Sequence, residues 1–490
     1  MPRRRRRPRP QTVIWSLVGL VLVLGAQAQA PLPAGPALNR AVNAEVRRAL
    51  QAAPELSVLI ADVATGETAY AYHPDELRVV ASNTKLFTTA AALHFLGPGF
   101  AFDTPLLARG RVAGGVLHGD LAVVGRGDPT FSERFTLDPY SAFRGWARAL
   151  KERGIARVAG DLLLVHGYFQ DGEVHPDWPR DQLSRWYEAP VSALSFNDNC
   201  VWVRVSPTGA GRGRVDLLPE VGLFTVENLT RTGPSSRHHQ VALTRREGSS
   251  EIEARGYVWH GARPLDAWVT VPDPVAWFGA ALEAALGEEG IEVGGASRPL
   301  ERLPPGVWER VAAHRSGILD TLQVINKRSQ NFYAESLLKA LGAERCGAGT
   351  WAGGLEAVAQ FLEGDVGIAR GSYHMADGSG MSRGNRFSAA QLVALLRHMY
   401  YHRWGRAFLQ SLPYSGEPGL SWERRLAQAP YRDNVYAKTG TLTGVSTLSG
   451  YAKGRSGRLY AFSILGNRAR STWQARQDQD RILRALIDNG

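Results

Sequence analysis

Cysteine is nearly missing from this chain. Cys200 and Cys346 are the only two in 490 residues, so no disulfide framework holds the fold together. A single bridge or two isolated small hydrophobic residues remain, and the second, blander reading is favoured. No Cys/His cluster has metal-ligand spacing, which argues against a zinc peptidase and leaves no metal or other cofactor implied. Internal repeats are absent as well. Lysine is scarce: of 57 basic residues only six are lysine, at positions 85, 151, 327, 339, 438 and 453. Arginine is used wherever positive charge alone will do, and lysine, unlike arginine, can give up its proton and act as a base.

The formal charge of +11 owes six units to Arg3–Arg7 and Arg9. The remainder is ordinary for this length, and no basic patch is interleaved with aromatics, so nucleic acid is not an expected partner. After that basic stretch come the apolar run 13–24 and the small residues Ala26-Gln27-Ala28. This is the pattern of a signal peptide over residues 1–28. A run of a dozen residues is short for a membrane span. The protein is therefore expected to be exported, to the periplasm or another extracytoplasmic space, with a loose membrane or wall association left open.

What is present is a globular composition, 44% hydrophobic, long enough for two or three domains. Strands over 56–63 and 67–72 flank Thr65-Gly66 as a hairpin. From about 102 to 271 the chain runs in short alternating stretches broken by Gly, Pro and Asn, a β-rich insertion with room for two nested subdomains. From 272 the texture is helical, with a strand pair over 446–452 and 459–465 and a terminal helix over 473–487. The expected division is 31–101 plus 272–490 as one unit and 102–271 as the insertion.

Three short motifs carry chemistry. Ser82-Asn83-Thr84-Lys85 opens an apolar helix that stops at Gly97-Pro98-Gly99. Ser82 then lies at a helix N-terminus, and Lys85, one turn on, can approach its hydroxyl. A lysine serves as base only where desolvation or another cation lowers its pKa. Ser336-Leu337-Leu338-Lys339 has the same spacing, so one of the two is a decoy. Ser329-Gln330-Asn331 offers a hydroxyl to relay a proton and an amide to bind both a lysine and a substrate carbonyl; Ser195-Phe196-Asn197 is its decoy. Lys438-Thr439-Gly440-Thr441 combines a cation and two hydroxyls for a carboxylate with a glycine that admits a substrate backbone.

In this order the motifs resemble the low-molecular-mass penicillin-binding proteins of class C, the D-alanyl-D-alanine carboxypeptidases and endopeptidases of peptidase family S13. The resemblance extends to Gly127-Asp128-Pro129, Trp186-Tyr187-Glu188-Ala189-Pro190, Asn326-Lys327, Ala334-Glu335 and the stretch from Asp377-Gly378-Ser379-Gly380 to Arg383. It implies an α/β (α+β) fold of the β-lactamase/transpeptidase type, an antiparallel sheet flanked by helices and interrupted by the insertion. It implies a serine-type carboxypeptidase/endopeptidase acting on peptidoglycan stem peptides through an acyl-enzyme, with β-lactam antibiotics as inhibitors. Ser82 would be the nucleophile, Lys85 its base, Ser329 and Asn331 the relay and amide-binding pair. Lys438, Thr439 and Thr441 would hold the terminal carboxylate beside Gly440, with backbone N–H groups of Ser82 and Thr441 as the oxyanion hole. Arg383 is expected to bind a carboxylate or backbone carbonyl near the cleft. Two alternatives stand beside this: a serine β-lactamase of the same fold, disfavoured by the long insertion, and a non-catalytic cell-wall or β-lactam-binding protein. One departure is Val165-His166-Gly167-Tyr168-Phe169, where relatives usually carry an acid; without it the insertion's contact with a substrate side chain is in question.

Overall fold

The computed structural model describes residues 35–490 apart from Leu137; the signal peptide expected over 1–28 lies outside the described residues. Among those described, no helix is long and apolar enough to cross a membrane.

Five antiparallel strands form the sheet on which the site is built, in the order Val435–Leu442, Val445–Lys453, Leu459–Asn467, Glu55–Asp62, Thr68–Tyr72. Both faces are covered, which is why its central strands read as near-continuous apolar runs rather than clean alternation. Leu56, Val58 and Ile60 point to one face, against Leu38, Val42 and Val46 of the helix Pro36–Ala49 and Ile482, Leu483 and Leu486 of the terminal helix Thr472–Asn489. Ala61, Tyr451, Ala461 and Leu465 join the opposite core with Leu392, Leu395 and Leu396 of the helix Ala389–Tyr401. The expected 56–72 hairpin is present. Asp62 makes its turn: Oδ1 accepts from the amides of Ala64 and Thr65 at 2.8 and 3.0 Å, and Gly66 takes φ +79°.

The helix Thr84–Leu96 runs through the centre of the second core, with every residue from Thr84 to Leu93 buried. A helix apolar all round belongs inside a protein, where it cannot shift without disturbing its neighbours. Packed around it are Ile318–Lys327, Asn331–Cys346 and Trp351–Phe361.

A second body has a seven-stranded mixed sheet that includes the hairpin Ala101–Ala113 and Val116–Val124. Two three-stranded sheets add to it, 225–259 and 200–270 between them. Its core is aromatic, with Phe131, Phe143, Trp146, Phe196, Trp277 and Phe278 in mutual contact. The helix Pro274–Glu288 and the strand Glu309–Gly317, expected in the flanking helical part, pack here instead. Their apolar residues are complementary to this core, and on that packing we propose 101–317 as the inserted unit rather than 102–271. The amphipathic helix Ser141–Glu152, which buries Phe143, Trp146, Ala147 and Leu150, also lies in the part expected to be β-rich.

Candidate active site

The motifs meet where the first core, the sheet edge and the insertion converge. Ser82 sits in a single 3₁₀ turn, Ala81–Asn83, that feeds directly into the buried helix. Ala81 before it has φ +47°, a sparsely populated conformation for a residue with a Cβ, of the kind concentrated at functional sites. Two glycines grip this turn. A Cβ on Gly440 would lie 2.7 Å from the Val80 carbonyl and 3.0 Å from the Ser82 nitrogen; one on Gly380 would lie 1.9 Å from the Ala81 carbonyl. Neither position tolerates a side chain. Ser82 itself is half-buried whereas Lys85 is wholly buried, so a reactant can reach the hydroxyl but water cannot bathe the amine.

Lys85 Nζ lies 3.1 Å from Ser82 Oγ, 2.7 Å from Asn331 Oδ1 and 2.6 Å from the Ser379 carbonyl. Burial lowers its pKa from 10.5 to about 7, with the nearby Glu335 and Asp377 charges opposing the shift. At neutral pH a free amine is therefore accessible. A neutral amine has two N–H bonds and one lone pair. With Asn331 and Ser379 accepting the two N–H bonds, the lone pair is left facing Ser82 Oγ, the geometry a general base requires.

Lys438, on the edge strand Val435–Leu442, donates to Ser329 Oγ at 2.7 Å and to the Thr439 carbonyl at 2.9 Å. Its pKa is also pushed well down, first by burial and then by the Lys85 cation. Ser329 occupies the turn between two helices with φ +59°. Since its oxygen accepts from Lys438, its own proton is free to point into the cleft. Asn331 uses one N–H of its amide on the Tyr187 carbonyl at 2.8 Å, a contact reaching from the insertion that the motif alone did not reveal. Thr441 Oγ1 accepts from Arg476 Nη2 at 3.0 Å, across from the terminal helix.

Sequence reasoning missed Arg476, Tyr187, Ser379, Glu335 and Asp377 as parts of the site. The last four belong to stretches noted only for resemblance. Arg383, expected to bind substrate, donates here to the Thr443 carbonyl in the turn joining the first two sheet strands. The Lys-Thr-Gly stretch, expected just ahead of the strand pair, is itself the edge strand.

The decoys fall elsewhere. Ser336 is buried with no hydrogen-bond partner for Oγ among the described residues. Lys339 is fully buried, ion-paired to Asp171, bonded to the Gly172 carbonyl and 3.8 Å above the Trp351 ring. It clamps the insertion to the helical core. Asn197 and Asn199 are buried in a backbone turn whose φ values are positive from 197 to 199. Val165 is buried in a strand flanked on both sides, pairing with Val124 and Leu300. An acid there would bring a charge into a buried position. Cys200 and Cys346 are both free thiols, Cys200 buried.

A family model described as the D-Ala-D-Ala carboxypeptidase 3 (S13) family covers residues 42–486. The chain is similar to a D-alanyl-D-alanine carboxypeptidase of Actinomadura sp. (strain R39), 36% identical over 431 residues, spanning 84% of this chain and 77% of that one. Its fold is similar to the crystal structure of penicillin binding protein 4 (dacB) from Haemophilus influenzae, with TM-score 0.78 and 25% identity over 89% of this chain and 97% of that chain. The same protein complexed with a novel β-lactam superposes with TM-score 0.72 at 24% identity, over 89% and 98% of the two chains.

Proposed function

Because this chain belongs to the D-Ala-D-Ala carboxypeptidase 3 (S13) family, we propose that it is a serine-type D-Ala-D-Ala carboxypeptidase/endopeptidase of the cell wall in which Ser82 is the acylated nucleophile. The observation that carries the assignment is the buried Lys85 amine, 3.1 Å from Ser82 Oγ and oriented by two fixed acceptors. Lys85 takes the Ser82 proton as Oγ attacks the carbonyl carbon of the penultimate D-Ala of a stem peptide. Backbone N–H groups of Ser82 and Thr441 receive the developing oxyanion, a contribution of about 3 kcal/mol per donor in comparable sites. The proton passes by way of Ser329 to the departing amine, terminal D-Ala leaves, and water releases the acyl-enzyme. Lys438, Thr439 and Thr441 hold the terminal carboxylate, with Gly440 giving the substrate backbone room. Asn331 keeps Lys85 in place and offers its remaining N–H to the substrate.

A β-lactam places a strained amide at the same oxygen, so penicillins acylate Ser82. The signal pattern supports export, which puts the enzyme in the periplasm or an equivalent space with its peptidoglycan substrate. Two measurements test the reading together. Purified muropeptides ending in D-Ala-D-Ala should lose one alanine by mass spectrometry, and labelled penicillin should attach to wild type and Ser336→Ala but not to Ser82→Ala. Covalent label on the Ser82→Ala protein would show that another residue is the nucleophile.

A further inference from the structure

Beneath Lys85 lies a carboxylate that touches neither Ser82 nor the cleft. Glu335, on the helix Asn331–Cys346, is fully buried. Its Oε1 accepts from the Ser379 amide at 2.7 Å, and its Oε2 accepts from the Gly378 amide and from Trp351 Nε1, both at 2.9 Å. Three donors converge on it. The Ser379 amide shares its peptide with the Gly378 carbonyl, which receives Thr88 Oγ1 at 2.8 Å; the next peptide carries the Ser379 carbonyl, which receives Lys85 Nζ. Asp377 braces the same loop from within, accepting from the Gly380 and Ser382 amides, Asn385 Nδ2 and Trp178 Nε1.

We propose that Glu335 is a positioning residue for the acylation step: by fixing the Gly378–Ser379 peptide that leads into the Ser379 carbonyl and placing a negative charge under the amine, it aims the Lys85 lone pair at Ser82 and sets the pH at which that lone pair is free. The inference rests on Lys85 being the base. A carboxylate receiving three N–H bonds and giving none is suited to the ionised form. Burial and the Asp377 charge raise the Glu335 pKa above the usual carboxylate range, and its three hydrogen bonds, which favour the charged form, oppose that rise. The groups that share its surroundings are Lys85 from the nucleophile helix, Asp377 from the loop, Lys339 one turn along its own helix and, beyond Lys339, Asp171 and Glu173 of the insertion. Lys438 faces Lys85 from the edge strand. Among these, Glu335 and Asp377 raise the proton affinity of Lys85, while Lys438 bears on it as a like charge.

The signs follow. Lys85 must be neutral to act, so acylation rises with pH through its pKa. Removing the Glu335 charge favours the neutral amine and moves that rise to lower pH. Glutamine keeps the size but turns an NH₂ group toward at least one of the three donors, so the loop that presents the Ser379 carbonyl is also held less firmly. The experiment is the pH dependence, from about 5 to 9, of the acylation rate with a chromogenic β-lactam, alongside thermal unfolding. In Glu335→Gln the acid limb should fall by about one pH unit, as expected for loss of one nearby opposite charge, and the plateau rate should drop at least roughly tenfold. Glu335→Asp, which restores the charge but not the reach, should return the limb toward its wild-type position while the plateau stays low. Trp351→Phe removes one donor gently and keeps the ring over Lys339; it should shift the limb in the same direction as glutamine, by less. This second variant remains informative if Glu335→Gln does not fold. A limb that stays put in Glu335→Gln and Trp351→Phe, with rate losses that track lost stability, would reduce Glu335 to a structural role and overturn the proposal. Wild-type acylation with no acid limb near neutrality would instead refute Lys85 as the base, a separately recognisable failure.

Discussion

Arg476 lies outside every motif, yet its guanidinium donates to the hydroxyl of Thr441 from a different element, the terminal helix. That donation fixes which way Thr441 can use its own proton: with its oxygen engaged on the helix side, its O–H is left for the substrate. Arg476→Ala should therefore weaken recognition of the terminal carboxylate twice, by loss of a cation and by loss of hydroxyl orientation. Arg476 is exposed, so the charge acts largely through water and is worth at most about 1 kcal/mol. The lost hydrogen bond adds about 0.5–1 kcal/mol. Together, about 1.5 kcal/mol corresponds to roughly a tenfold loss in kcat/KM, carried mainly by KM. The assay compares a peptide ending in D-Ala-D-Ala with its C-terminal amide, in wild type and variant. The amide has no carboxylate to lose, so its turnover should fall by less than about twofold, and in about 0.5 M salt the penalty on the free acid should shrink as the charge is screened. Equal losses on both peptides, independent of salt, would show that Arg476 merely props the strand and would refute the reasoning.

Lys85→Arg should be nearly as damaging as Lys85→Ala, because a guanidinium cannot accept the serine proton; more than about a tenth of wild-type acylation remaining, a cost under roughly 1.4 kcal/mol, would point to another base. With the Lys85 pKa at about 7, wild-type acylation should climb as pH approaches 7 and level off above it, which stopped-flow measurement would show. Lys339→Met should destabilise the fold without touching chemistry. It leaves Asp171 and the Gly172 carbonyl without their cation, at about 2 kcal/mol, less than for a fully enclosed pair because Asp171 is partly exposed. Denaturant midpoints should fall while folded protein still takes up labelled penicillin at the wild-type plateau rate, on the alkaline side where the Lys85 amine is neutral; lost labelling there at unchanged stability would contradict the clamp.

The sequence was most readable where period and position coincide. The hairpin before Ser82, the buried helix after it, the terminal strand pair and the terminal helix each follow from apolar spacing bounded by turn residues. The helix Ser141–Glu152 has equally good spacing in Phe143, Trp146, Ala147 and Leu150, but it stands among Gly- and Pro-broken strands and was submerged in their texture. The strand Ala101–Ala113 carries Pro105 in its interior, a residue that argues against a central strand. It is tolerated because pairing with the Val116–Val124 partner begins only at Leu106, so Pro105 has a neighbour on one side alone. The edge strand was obscured for a functional reason. Lys438 and Gly440 are poor strand formers, retained because one reaches Ser329 and the other admits the Ser82 turn. Within the site, hydroxyls and lysines were legible as types in a spacing. Partners acting through backbone, such as the Ser379 and Tyr187 carbonyls, leave no mark in residue identity, and Arg476 is one arginine among many.

Lysine scarcity was a sound pointer, and the structure explains what it pointed to. Lys85, Lys339 and Lys438 are the buried cations of this set, at 0, 0 and 1% exposure. Each is met by acceptors gathered round a single nitrogen, a cage that suits a compact ammonium and not the planar fork of a guanidinium. Scarcity therefore marks burial first and chemistry only second, which is why the decoy lysine shared it. Burial lowers the pKa of all three. What separates them is the partner in contact. Lys339 touches a carboxylate, which draws its proton back and makes it a structural cation. Lys85 and Lys438 touch hydroxyls, at 3.1 and 2.7 Å, and a hydroxyl can exchange a proton with the amine. The carboxylate nearest in role to Lys85 is held one peptide away, at Glu335, bonded to the amide of Ser379 whose carbonyl the amine meets. Direct contact would fix the ammonium; that separation lets the charge orient the amine and tune its pKa while leaving its lone pair available to Ser82.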